Sequence, residues 1–533
     1  MEGKDSGKLF VFNTLHREKE EFVPRDGKKV NMFVCGQTVY DDAHMGHAKT
    51  YINFDIIVRW LRYLGYEVKY VQNITDIDDK IINRAKERGI DPIELARYYE
   101  KRFFEDMEAL GVKRNVDMYP RSHDYINNIK DQIQLLIDKG YAYRVDDDIY
   151  YDVSKFADYT KLSMMKIEDL VKHRIEPREG KKNSYDFALW KAAKEGEPSW
   201  RIKLVIGGNE VELNGRPGWH IEDTAMTYAI FGPQYDIHGG ASELIFPHHT
   251  NEIAQSEAAF GVKPFVKYWL HSGVLNIKSE KMSKSLKNFV RIRDALAKFD
   301  AEEIRLFYAS THYRKDMEYD ESLLNEAKKK LHYIYSSFSI FYNSKEAEAS
   351  NADASVAAIV ARLTEGFNAA MNDDFNTPLA LSALVAAISD LRSIAESNSN
   401  IGKNAKGLAV STILGLAGTL GILEKDTYKQ PLPSDVAELI KEREELRKKG
   451  DYSSADAIRQ KIRDEYGYEI EDTENGPVWY RKKVSWRNLL LILAAFGSAV
   501  ALVGLSGVLG CILIHPWPAP APFDLLPLLR TRK

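Results

Sequence analysis

The stretch "VNMFVCGQTVYDDAHMGHAKTYINFDIIVRWLRYLGYEVKYVQN", residues 30–73, decides the fold. It opens on a short apolar run, "VNMFV", that reads as a buried strand. A glycine-containing turn, "CGQTVYDDAHMGH", leads into a long helical pattern, "YINFDIIVRWLRYLGY", closed near Gly65. "EVKYVQN" is a second strand. Strand, turn, helix and strand in this order make the βαβ unit of a parallel sheet. Asp91 and Pro92 then start another helix as N-cap and first-turn residue. Ile93, Ala96, Phe103, Met107 and Leu110 recur at helical spacing as its buried stripe.

Residues 1–115 thus hold the first half of an α/β, Rossmann-like parallel-sheet domain. From 116 to 215 the pattern breaks into short elements and charged loops such as "EPREGKKNS", which reads as an insertion. The α/β pattern returns over 216–320. Alanine- and leucine-rich amphipathic segments over 321–430 predict an α-helical bundle. The stretch "KQPLPSD" leads into a small charged C-terminal module at 431–483, and no internal repeat is visible.

The 533 residues carry a net charge of -4, with 29% charged and 44% hydrophobic residues. That is the composition of a soluble globular protein. It excludes a globally basic coat, though local patches can still hold nucleic acid. Two cysteines, Cys35 and Cys511, exclude a disulfide framework and point to a reducing, cytoplasmic compartment. The start, "MEGKDSGKLF", has no apolar signal core. Residues 484–533 form an apolar tail, and Leu489 to Ile514 contains no charge. Arg481, Lys482, Lys483 and Arg487 precede that run, with Trp486 and Trp517 near its ends, so a transmembrane helix over 489–514 is predicted, tethering the chain from the cytoplasmic side.

Three groups of residues carry chemistry. "HMGH", His44 to His47, sits where the first strand turns into its helix. A helix start offers free N–H groups to a phosphate, Gly46 allows close approach, and the histidines add donors. "KMSKS", residues 281–285, has lysines to grip a polyphosphate and neutralise a leaving pyrophosphate; alone it is an ordinary solvated loop. The third group is Cys35, His248 and Glu252, with Asp223 in "PGWHIEDTAM" as a further candidate. His248 and Glu252 are spaced i, i+4, so on a helix they share one face. A thiolate, an imidazole and one or two carboxylates make a zinc shell, while Cys35 alone equally suits a small buried hydrophobe.

The pair His-x-Gly-His and Lys-Met-Ser-Lys-Ser resembles the double signature of class I aminoacyl-tRNA synthetases. From about residue 8 to 483 the chain resembles the cysteinyl-tRNA synthetase family, in "FVCGQTVYDDAHMGHAKTY", "YVQNITDIDDKIINRA", "PGWHIE", "DIHGGASELIFPHHTNEIAQSEA", "KMSKSLKN", "MNDDFNTPLALSAL" and "DYSSADAIRQKIRDEYGYEIEDTENGPVWYRK". The resemblance implies ATP-dependent ligation of L-cysteine to its cognate tRNA through a cysteinyl-adenylate. It implies one zinc ion per chain held by Cys35, His248 and Glu252, with a fourth ligand that is usually a second cysteine directly after "GWHIE". Here that position is Asp223, a harder oxygen ligand.

The resemblance further implies that Gly36, Thr75 and Trp219 line the amino-acid pocket. His44, Gly46 and His47 would hold ATP phosphates, Asp236, His238 and Gly239 would lie near the adenosine, and Lys281 and Lys284 would stabilise the pyrophosphate with Mg²⁺. It also implies a monomer. Basic, aromatic-flanked runs at 325–335, 441–451 and 480–483 are candidates for tRNA contact, and equally suit solvated helix faces. Two other readings stand beside this one: a cysteine ligase acting on a small amino-sugar, whose relatives have a reduced C-terminal region, and a non-catalytic tRNA-binding paralogue, for which Asp223 speaks.

Overall fold

A computed structural model describes residues 7–166, 179–277, 279–282, 288–397, 400–473 and 476–481. The apolar run 489–514, Cys511 and Lys284 lie outside the described residues. The chain divides into two compact units, 1–438 with 471–479, and 439–470 with 480–533.

The first unit is built around four parallel strands. β1 (Lys29–Thr38) runs into α1 (Met45–Tyr63), which returns to β2 (Glu67–Thr75). The helices α2 (Asp79–Arg88) and α3 (Pro92–Ala109) follow, and Asp91 caps α3 by accepting from Ile93 N and Glu94 N. The stripe of α3 is buried at Ala96, Phe103, Met107 and Leu110, but Ile93 is exposed. Ile93 falls in the first turn, and Leu95 and Tyr99 take the inward places instead.

The insertion contributes α4 (Ile126–Asp138) and an antiparallel sheet of five strands, β3 (Ala142–Val145), β4 (Asp148–Tyr151), β5 (Phe187–Ala192), β6 (Trp200–Ile206) and β7 (Asn209–Pro217), in the order β3-β4-β5-β7-β6. The parallel sheet then resumes through α5 (Trp219–Phe231), β8 (Tyr235–Ala241), α6 (Thr250–Phe260) and β9 (Val266–Ser272), giving the order β9-β8-β1-β2. Strand order reverses between β1 and β8, and the crevice at the carboxyl ends of such strands is where open parallel sheets bind ligands.

Both faces of β1 are buried, as a parallel strand requires. Val30, Met32 and Val34 join a core shared with α1 and the helical region, whereas Phe33 and Cys35 join a core shared with the insertion. The period-2 alternation of side chains therefore aims Cys35 away from α1.

A short hairpin, β10 (Leu275–Ile277) and β11 (Glu280–Lys281), precedes α7 (Ala301–Ala309). β12 (Met317–Glu318) pairs with β10 and leads into four packed helices, α8 (Glu321–Tyr342), α9 (Asp353–Asn372), α10 (Thr377–Glu396) and α11 (Lys403–Leu420). Among the described residues α10 alone is long and apolar enough to cross a membrane by length and composition. Its Leu381, Leu384 and Ile388 are buried in the helical core. The helices α12 (Ser434–Lys448) and α13 (Tyr452–Tyr466) complete the described helical part.

Asp55 of α1 ties the parallel-sheet region to the helices. Its carboxylate is 0% exposed and accepts from Arg305 at 2.5 Å and Arg59 at 2.7 Å, while Arg59 also donates to Gly418 O and Arg305 to Leu420 O. Removing one partner of a buried ion pair leaves the others desolvated and uncompensated. Asp55→Leu is expected to lower unfolding free energy by about 3–5 kcal/mol in urea titration; a loss under ~1 kcal/mol, the range of an exposed pair, counts against this role.

Candidate active site and metal cluster

α1 begins at the carboxyl end of β1, with His44 as its N-cap residue. The His44 N–H donates to His47 Nδ1 at 3.2 Å, and the two rings stack with centroids 3.8 Å apart. A Cβ on Gly46 would stand 2.9 Å from the His44 ring, so glycine is what lets that ring fold back over the helix start. The limb that follows the KMSKS motif lies against this turn: Met45 N donates to Val290 O at 2.9 Å and Ile292 N to Ala43 O at 3.0 Å. Lys281 stands on β11 and pairs with Glu243. The segment that follows the second signature, more than two hundred residues from the first, therefore lies beside it at the sheet's switch point.

Below them lies a buried polar cluster. Cys35 Sγ is 3.4 Å from Asp223 Oδ2, and His248 Nε2 is 3.0 Å from the same oxygen and 3.1 Å from Glu252 Oε1. The donor atoms of Cys35, Asp223, His248 and Glu252 all lie within 4.8 Å of one another. An overlapping set, Cys35, His238, His249 and Glu252, is equally close. His249 Nε2 is 3.2 Å and His238 Nε2 3.4 Å from Cys35 Sγ. His220, His238 and His249 are held well below the usual imidazole range by burial.

The cluster fits a cation. Neither Glu252 oxygen accepts a well-aligned hydrogen bond, and among the described residues no lysine or arginine pairs with Asp223 or Glu252. Burial, and next the charges of Asp223 and Glu252, push the Cys35 thiol well above its ordinary value; burial and then Asp223 do the same to Glu252. Acidic groups gathered this way, out of water, are what a divalent ion compensates.

Position is imposed on these donors by residues to which the sequence assigned no role. Asn73, 1% exposed on β2, donates to Asp223 Oδ1 at 2.7 Å and to Thr75 Oγ1 at 3.3 Å, and accepts from Gly36 N at 2.5 Å. His220 Nδ1 meets His248 Nδ1 at 2.8 Å, leaving the other nitrogen of His248 for the cluster. A polar asparagine inside an otherwise buried strand was the available signal for the first. Gly36 is required by the close approach of β2, since a Cβ there would lie 1.6 Å from Asn73 O. Gly36→Ala is expected to force β1 and β2 apart, read as a lowered melting temperature. A wild-type value would contradict the geometry.

The Trp219 ring stacks on His248 with centroids 4.2 Å apart, and Thr75 is buried beside Asn73. The three residues expected near the adenosine lie along β8. Asp236 is at the amino end of β8, accepting from Arg25 N and Asn31 N at 2.7 and 2.8 Å. His238 is fully buried beneath Cys35, with Tyr235 OH 2.5 Å from its Nδ1. Gly239 lies in mid-strand, where a Cβ would stand 2.4 Å from the Phe54 ring of α1, so glycine is what lets α1 pack there.

Residues 21–329 match the sequence model of the family described as tRNA synthetases class I (C) catalytic domain, and residues 366–424 match the DALR domain. The protein is thus of the class I aminoacyl-tRNA synthetases. The Mycobacterium tuberculosis methionyl-tRNA synthetase, solved with methionyl-adenylate, shares the fold with a TM-score of 0.53 at 18% identity, over 74% of this chain and 89% of that one. The cysteine–tRNA ligase of Thermococcus gammatolerans is 44% identical over 484 residues, 89% of this chain and 99% of that one, and that of Thermococcus kodakarensis 45% over 491 residues, again 89% and 99%. The chain belongs to the cysteinyl-tRNA synthetase family and is an enzyme of tRNA aminoacylation, with tRNA, an amino acid and ATP as its substrates.

Proposed function

We propose that the chain ligates L-cysteine to its cognate tRNA in two steps, with a metal ion held by Cys35, Asp223, His248 and Glu252 reading the substrate thiol. The observation that carries this is the buried four-donor cluster whose Glu252 carboxylate has no aligned hydrogen-bond donor. A zinc ion there would supply a Lewis acid that favours the deprotonated sulfur of cysteine over the hydroxyl of serine, a discrimination that apolar packing makes poorly.

The protein's own residues position and neutralise. Gly36, Thr75 and Trp219 wall the amino-acid pocket beside the cluster. In the first step the cysteine carboxylate oxygen attacks the α-phosphorus of ATP, and the bond to the pyrophosphate oxygen breaks. His44, His47 and the free N–H groups at the start of α1 hold the phosphates as charge develops. Lys281 and Lys284, with Mg²⁺, neutralise the pyrophosphate as it leaves. In the second step a terminal ribose hydroxyl of the tRNA attacks the adenylate carbonyl and AMP departs.

Against an amino-sugar acceptor stands the helical region, which matches the DALR domain, with two further helices after it. The test is exchange of pyrophosphate into ATP with cysteine, with serine and with neither, before and after chelation. Exchange with cysteine alone, lost on chelation and restored by zinc, is expected. Equal exchange with serine would sink the metal-selection reading.

A further inference from the structure

Residues 39–44 join β1 to α1 and end on His44. Two adjacent carboxylates moor this turn. Asp41 accepts from Arg84 of α2 at 2.6 Å. Asp42, 6% exposed, accepts from Arg102 of α3 through Nε at 2.5 Å and Nη2 at 2.8 Å, a bidentate pair. Arg291 and Arg293, on the limb that follows the KMSKS motif, bring guanidinium nitrogens to 3.6 and 3.7 Å from the same carboxylate. Although burial works against it, the bond from Arg102 and the charges of the three arginines hold the Asp42 carboxyl below the usual carboxylate range.

Arg293 does more than face Asp42. Its Nη2 donates to Asp106 Oδ1 at 3.0 Å and to Arg102 O at 3.1 Å, both on α3. Turn, limb and α3 therefore meet at one guanidinium. A planar fork serves several partners at fixed angles, which a point-like ammonium does not. Asp106 is 3% exposed, and its second oxygen accepts no hydrogen bond among the described residues. Burial, opposed first by the charge of Arg293, pushes its carboxyl up to about 6. The charged groups around Asp106 are Arg293 on the limb, Asp42 on the turn and Arg102 on its own helix, while Glu105 stands 3.8 Å from Arg293.

Two backbone bonds, from Met45 N to Val290 O and from Ile292 N to Ala43 O, set the register of turn and limb around His44. The charges beneath fix the pair against α3. We propose that Arg293 is a positioning residue for the first step: bound to Asp42 and Asp106, it holds the HMGH turn, and with it the His44 ring, where the phosphates need them. This rests on the reading of that turn given above. Arg293 acts through His44 and not on the reacting atoms.

The experiment uses the full chain, loaded with zinc, and cysteine-dependent pyrophosphate exchange. Arg293→Gln is expected to lower kcat ~10–100-fold, the scale of a misplaced catalytic group, and to change the KM for ATP by less than about threefold. His44→Ala should mask this loss. With that ring gone, adding Arg293→Gln should cost about twofold or less, since the two then act as one unit. Losses that multiply in the double variant overturn the inference, because a general structural defect is independent of His44.

Asp106→Asn keeps the accepting oxygen and removes the charge, so it decides should Arg293→Gln not fold. Its deficit is expected to depend on pH. Above about pH 7 the unaltered Asp106 is ionised, and the variant should be slower by ~10-fold; at about pH 5 the unaltered carboxyl carries its own proton, and the two rates should agree within about twofold. The ratio cancels every titration the two chains share. A deficit equal at both pH values, or no deficit, overturns the inference. No exchange with cysteine in the unaltered chain, or a His44→Ala enzyme as fast as that chain, overturns the reading of the site and this inference with it. Normal exchange together with an equally fast Arg293→Gln enzyme overturns this inference alone.

Discussion

Cys35→Ala is expected to lose its zinc and to lose cysteine-dependent pyrophosphate exchange by more than ~100-fold, because even an outer partner of a metal ligand is typically worth 10–100-fold. Cys35 belongs to both four-residue sets, and its sulfur lies 3.2–3.4 Å from Asp223, His238 and His249. Removing it breaks either arrangement, whereas the other members tell the two apart. Asp223→Ala should strip the metal while His249→Ala retains it, if the set containing Asp223 and His248 is the one used. Asp223→Cys should keep the metal, since it restores a thiolate at the same place. Zinc content by atomic absorption, on protein whose melting curve is normal, is the readout. Full metal occupancy in Cys35→Ala would end the proposal that this cluster is the zinc site.

The second large effect concerns the helix start. His44→Ala is expected to lower kcat for exchange by ~10²–10³, the usual cost of removing one donor aimed at developing charge, with the KM for ATP changed only a few-fold. The stacked rings of His44 and His47 act as a unit, so the double variant should cost far less than the sum of the singles. His47→Ala carries an extra penalty, because its Nδ1 accepts the His44 N–H and thereby shapes the first turn of α1. A His44→Ala enzyme within threefold of the unaltered kcat would remove this residue from the transition state.

The βαβ unit was legible in residues 30–73 because both its periods are local. Alternation along β1 and helical spacing along α1 are properties of neighbouring residues, and the structure has strand and helix where the pattern puts them. The start of α3 at Asp91 and Pro92 was legible for the same reason, since capping is settled within one turn. Ile93 was misread because spacing alone does not say where a stripe begins.

The candidate site divides along the same line. Residue types named its chemistry: a histidine-flanked glycine at a helix start, a thiol with an imidazole and carboxylates. Their meeting did not follow from spacing, since Cys35 and Asp223 are 188 positions apart and join only when α5 packs against β1. Resemblance supplied that set, while the places of Asn73, His220, His238 and His249 around Cys35, Asp223 and His248 emerged only from the folded arrangement. A motif likewise does not state that Asp236 stands at the amino end of its strand, nor that Gly239 lies under a helix. The sequence by itself determined the elements, their order and the chemistry available. The tertiary structure decided which side chains converge, because convergence depends on strand register and on the closure of long loops, and neither is written in the spacing of adjacent residues.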